Sequence, residues 1–205
     1  MEGHDPGPLS PGPLSPWQRV LGAAPEGLHP RLRAYVSAIP SGRVGRGSGT
    51  FDRVGTPRRW LWPVLAALGR AGIVFPVWEH EVPFMVENRP DDAVLRARRT
   101  FRFPDGDRVM VDAIAVERGV LVDRLGGAGS LRAELDASTA DGALRLHSRR
   151  TTWRGIPIPF APRVTLVESW DDDAGRQHVA LTLDVPLIGR VYEYEGRFDY
   201  AVEDA

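Results

Sequence analysis

Three carboxyl groups and one guanidinium occupy positions that an alternating strand pattern assigns to an apolar face. Glu168 shares its face with Val164, Leu166 and Trp170, and Asp112 lies between Met110 and Ile114. Asp123 lies between Leu121 and Leu125, and Arg99 stands on the face of Phe101 and Phe103. Near the end of the chain Tyr192, Tyr194, Phe198 and Tyr200 fall on one side, with Glu193, Glu195 and Arg197 on the other. By contrast, the stretch 130–137 alternates cleanly, Leu131, Ala133, Leu135 and Ala137 against Arg132, Glu134 and Asp136. A charge on an apolar face costs free energy unless it is paired or hydrogen-bonded. Two readings follow. In one, Arg99 pairs with a carboxylate and the set is an internal network that holds the fold together. In the other, carboxyls and a phenol converge in a dry cavity where desolvation lifts a carboxyl pKa towards neutrality, which is the requirement for general acid and base catalysis. On that reading Asp112, Glu168 and Tyr194 are the catalytic candidates, and Arg99, Asp123, Trp153, Trp170 and Tyr192 bind substrate or form the cavity wall.

Composition removes most competing chemistries. Cysteine is absent, so there is no thiol nucleophile, no thiolate metal site and no disulfide framework. All 26 basic residues are arginine, which excludes a lysine Schiff base and reads as the mark of a GC-rich, actinobacterial genome. His4, His29, His80, His147 and His178 lack ligand spacing apart from His80 within Glu79-His80-Glu81, so no metal and no cofactor is expected. Gly42 to Gly49 carries glycines without a βαβ unit around them, and reads as a Gly-rich strand rather than a dinucleotide loop.

The elements that would position these groups are mostly strands. From about Glu81 onward, alternating segments are broken by turns such as Pro104-Asp105-Gly106-Asp107, Glu117-Arg118-Gly119, Ala140-Asp141-Gly142 and Asp173-Ala174-Gly175. Strands are expected at 81–89, 94–103, 108–116, 119–125, 130–137, 143–149, 151–158, 163–171, 176–185 and 189–201, after a Gly-rich strand at 42–54. So many strands predict a mainly β, antiparallel barrel of about ten strands, closed or nearly closed around an internal cavity, because closure removes exposed edges. Short helices are expected before it, at 17–21, 30–39 and 60–71, with Thr56-Pro57 starting the last and Pro63 delaying or kinking it. The repeated Pro-Gly-Pro-Leu-Ser at residues 6–15 predicts a disordered leader over 1–16, followed by a single domain over 17–205.

A formal net charge of −1 gives no overall field towards nucleic acid or an anionic membrane, so neither partner is expected. No apolar run reaches the roughly 18 residues of a membrane span and the N-terminus lacks a signal peptide's pattern, which predicts a cytoplasmic protein.

The span from Leu21 to Tyr200 resembles a bacterial domain found at the C-terminus of saccharopine-dehydrogenase-like proteins. The resemblance is carried by Arg99-Thr100-Phe101, Gly119 to Arg124, Gly155-Ile156-Pro157-Ile158-Pro159 through Ala161-Pro162, Glu168, and Val185 to Gly189 through Tyr194-Glu195-Gly196. Asp123 departs from that pattern, where the domain is expected to carry Glu. In size, arginine usage and barrel pattern the chain also looks like the small spiroacetal cyclases of macrolide polyketide biosynthesis, of the oligomycin and ossamycin type. That likeness implies a cofactor-free cyclase with a polyketide substrate, closing a dihydroxyketone to a spiroacetal by proton transfers alone. Alternatives from other classes are a lipid- or polyketide-binding carrier without chemistry and an interaction module that partners a dehydrogenase.

Overall fold

The computed structural model describes residues 14–23 and 25–205. Helix α1 (Pro16–Leu21), a 3-10 turn (Pro30–Leu32) and helix α2 (Arg33–Val36) precede strand β1 (Arg43–Gly55). A second 3-10 turn (Arg59–Leu61) leads into α3 (Trp62–Arg70). Ten strands follow: β2 (Trp78–Asp91), β3 (Val94–Phe103), β4 (Gly106–Glu117), β5 (Val120–Leu125), β6 (Leu131–Ala140), β7 (Ala143–Trp153), β8 (Ile156–Pro157), β9 (Arg163–Asp171), β10 (Arg176–Val185) and β11 (Gly189–Asp204). Every pairing is antiparallel, β1 joins β11, and β6–β7 together with β7–β9 complete the ring. The result is a closed barrel of ten strands with β8 as an extra strand on β7. No described helix is long and apolar enough to cross a membrane.

Up-and-down connectivity sorts the connections between two ends. The segment carrying α3 and the links β3–β4, β5–β6, β7–β9 and β10–β11 lie at one end, called here the α3 end. The other end is stopped by the N-terminal segment, where α1 packs on β4, β5 and β6, and α2 on β11. At this second end Asp141 and Gly142 both have positive φ, 54° and 78°, the geometry of a two-residue hairpin turn, and Ala140 pairs Ala143 across it.

The core is aromatic: Phe51 meets Phe84 edge-on at 4.5 Å and Tyr194 at 5.2 Å, while Phe75, from the α3 segment, packs edge-on against Phe101 at 5.7 Å. The glycines of β1 make room for it. Gly45, Gly47 and Gly49 pair Val202, Tyr200 and Phe198 of β11, and the inner volume that side chains would fill there holds the Tyr200 and Phe198 rings. A Cβ on Gly47 would stand 2.9 Å from Cγ1 of Val86 and 2.8 Å from the Asp199 carbonyl oxygen. Gly47→Ala is therefore expected to cost roughly 1–3 kcal/mol through overpacking, read as a lower denaturant midpoint. An unchanged midpoint would mean that the neighbours withdraw freely.

Several expected boundaries move. Of the leader expected over 1–16, residues 1–13 lie outside the described residues, but Ser15 and Pro16 are buried. Ser15 caps α1 in a reciprocal arrangement with Gln18, whose side chain also accepts from Ala38 N–H, so this stretch is tied to the domain by hydrogen bonds that apolar patterning does not register. The helix expected over 30–39 is a 3-10 turn followed by one helical turn ending at Val36. Thr56 does not cap α3: its hydroxyl accepts from Arg58 N–H, and the helix begins at Trp62 with Pro63 in its first turn. A separate strand over 151–158 is replaced by a longer β7 running through to Trp153, because a bulge opposite Glu134 and Leu135 absorbs an extra residue and keeps the pairing in phase.

Candidate functional site

The inner faces of the strands bring the polar candidates to one level of the barrel. Register places Arg99 opposite Val86 and Met110, and Asp112 opposite Ala97, so both point inward with the apolar row. Arg99 and Asp112 form an ion pair, their side chains 17 % and 2 % exposed. Sequence alternation anticipated such a pair, and β3–β4 pairing supplies it. Oδ2 of Asp112 has no partner among the described residues, nor has the enclosed Oδ1 of Asp123. Asp123 faces inward opposite Ile114 and Ala133, within the electrostatic reach of Arg99.

Glu168, on β9, is 5 % exposed and accepts from the Gln177 side chain of the adjacent β10. The Tyr35 side chain of α2 is near enough to the same carboxylate to hold its pKa down, so the stopper at the second end contributes directly to the cluster. One guanidinium faces three carboxyl groups, and burial decides the protonation of the two it does not pair directly. Asp112 takes the direct ion pair. Burial pushes the Asp123 carboxyl up to about 6, with Arg99 opposing. Burial pushes Glu168 up to about 7, against the opposing influence of Tyr35, the Arg99 charge and Gln177. Two carboxyls thus exchange protons near neutral pH inside the fold. Tyr194, pushed by burial up to about 12 with Arg99 opposing, stays a phenol.

Beside this cluster the inward-facing walls stay partly open to solvent. Leu125, Leu131, Trp153, Leu166, Leu181 and Leu183 all face inward and pack on the core, yet each is only half-buried. They belong to β5, β6, β7, β9 and β10 and lie towards the α3 end. One inward position deeper along β5 comes Asp123 after Leu125, and along β9 comes Glu168 after Leu166. The acid groups therefore lie one inward layer below partly accessible apolar walls, an arrangement that favours neutral carboxyls and suits an apolar ligand with few polar anchors.

The other candidates separate. Trp153 belongs to these partly accessible inner walls, whereas Trp170 lies at the opposite end, stacked on His29 at 5.9 Å with Arg31 over its ring at 5.8 Å. Tyr192 is completely buried beside the Phe75 backbone and is part of the wall's packing. His147 and His178 are on outer faces, next to Thr165 and Glu195.

Three polar members of the interior were not singled out from sequence. Gln177 shares the face of Val179, Leu181 and Leu183, and Asn88 that of Val82, Phe84 and Val86, so the same criterion identifies both. Asn88 donates to the Tyr200 hydroxyl at 3.3 Å. Tyr35 carried no such signal, because it sits in the apolar stripe of a short helix.

The family model described as "Domain of unknown function (DUF4166)" matches residues 28–198. No curated protein matches the chain.

Proposed function

This chain belongs to the DUF4166 family, and we propose that it is a cofactor-independent cyclase that closes a flexible dihydroxyketone to a spiroacetal by general acid and base catalysis within the barrel. The observation that carries the reading is the convergence of the inward-facing carboxyls Glu168, Asp112 and Asp123 on a single arginine, one layer below partly accessible apolar walls, where burial raises Glu168 and Asp123. The reaction asks for nothing more than proton transfers. One hydroxyl adds to the ketone, its proton leaving to a carboxylate while the carbonyl oxygen gains one, which gives a hemiacetal. Protonation of the hemiacetal hydroxyl by a neutral carboxyl expels water and leaves an oxocarbenium ion. The second hydroxyl attacks that carbon and gives its proton to a carboxylate, so one water is lost overall.

Glu168, half-protonated near pH 7, suits the acid role. The unpartnered oxygens of Asp123 and Asp112 suit acceptance of substrate hydroxyl protons and stabilisation of the cationic carbon. Tyr194 and Arg99 anchor oxygens. The leucine walls select one folded conformer of the chain, which determines the stereochemistry.

Incubating the purified protein with a synthetic dihydroxyketone and a strong chelator tests the proposal by mass spectrometry and chiral separation. Loss of one water to give mainly one spiroacetal stereoisomer, well above the buffer rate, is expected. Tight binding without conversion would favour the carrier.

A further inference from the structure

We propose that the α3 end of the barrel docks on an anionic lipid surface. The large apolar side chains that the described residues leave exposed are, apart from Leu14 and Met85, gathered at this end: Trp60, Val64, Ile156, Phe160, Leu187 and Ile188. Trp60 and Phe160 are 62 % and 82 % exposed, and Leu187 is fully so.

They come from three separate segments that the fold lays side by side. Pairing of Asp184 with Arg163 sets the β10–β11 turn next to the loop that ends in Ala161-Pro162. A hydrogen bond of 2.9 Å from Arg58 to the Ile188 carbonyl fastens that same turn to the start of the α3 segment. Singly exposed apolar residues need no explanation, but a contiguous apolar rim does.

Charge selects the occupant. Residues 57–64, 154–163 and 186–190 contain Arg58, Arg59, Arg154, Arg163 and Arg190 and no acidic residue. Among the described residues, Arg59, Arg154 and Arg163 form no ion pair; Arg59 lies over the Trp62 ring at 5.5 Å. Exposed acids at this end, Asp105 and Asp107, belong to the β3–β4 link and not to these three segments, while Asp92, Asp141, Asp172 and Asp173 sit at the other end. The near-zero net charge thus hides a local basic cluster around the apolar tips, which the expectation of no membrane, drawn from charge balance alone, does not take into account. Apolar tips ringed by arginine match a surface with acyl chains below and anionic headgroups above.

The backbone fits as well. Pro57, Pro63, Pro157, Pro159, Pro162 and Pro186 punctuate the three segments, and proline presents no N–H to be stripped of water on insertion.

Co-sedimentation with vesicles of phosphatidylglycerol and phosphatidylcholine, beside vesicles of phosphatidylcholine alone, tests the proposal without any turnover assay. Preference for the anionic vesicles, weakening as salt rises, is expected. Phe160→Ser with Leu187→Ser, and separately Arg154→Gln with Arg163→Gln, should each lower that affinity about 10-fold or more with thermal melts unchanged. Absence of vesicle binding, or equal binding to both vesicle types, would overturn it. So would a wild-type dimer in light scattering that the apolar substitutions dissolve while vesicle binding stays as it was, since the rim would then serve a second copy of the chain.

Discussion

Replacing Glu168 by Gln is expected to lower single-turnover cyclisation about 100-fold or more while the fold survives, because an amide keeps the shape of the neutral carboxyl but cannot pass on its proton. The stability side of this variant has a definite sign. Glu168 rises from 4.5 to about 7 in the folded chain, so the folded form holds its proton where the unfolded chain has lost it. Stability from this group is present below about pH 4.5 and is lost as pH rises through about 7, a swing of roughly 3 kcal/mol. Glu168→Gln removes that swing, so the variant should gain on the wild type between these limits and melt at least as high at pH 8. Thermal melts across pH, run beside the turnover assay, measure both effects. If turnover followed the melting curve instead, the network would be structural only.

The second large effect concerns Arg99. Arg99→Met removes the guanidinium and leaves Asp112, 2 % exposed, as an uncompensated buried charge, at an expected cost of about 3–5 kcal/mol in denaturant unfolding. The double variant Arg99→Met with Asp112→Leu should recover most of that loss, since an apolar pair of similar volume replaces a desolvated ion pair. The single variant should also move the fall of cyclisation with pH above 7, because Arg99 is one of the groups holding the Glu168 carboxyl down. Failure of the double variant to recover would mean that the stabilising partner of Arg99 is another carboxyl of the cluster.

Much of this arrangement was legible in the sequence because period-two alternation makes a misplaced charge conspicuous. Glu168, Asp112, Asp123 and Arg99 were found by that rule, and the strands over 94–103, 163–171 and 176–185 have the expected bounds since each ends at a turn or a proline. Alternation cannot tell which inward residues meet. Shear round the barrel brings β3 and β4 together at Arg99 and Asp112 but leaves Trp170 at the opposite end, under His29. Nor could it reveal Tyr35, which enters from a helix with no strand register at all. The Gly-rich β1 was read as a strand, yet the reason for its glycines lies in the Tyr200 and Phe198 rings, far along the chain. The gathering of Trp60, Phe160 and Leu187 with Arg58, Arg59, Arg154 and Arg163 at one end likewise exists only after closure.

The most direct test of the central claim needs no substrate. A carboxyl-carbon NMR titration of the glutamates, compared between wild type and Glu168→Gln, reads the proton affinity of the interior itself. The account predicts one glutamate titrating near 7 in the wild type and missing from the variant. A wild-type protein in which every glutamate titrates below about 5 would contradict it, because a carboxyl that gives up its proton as readily as in water is no proton donor at neutral pH.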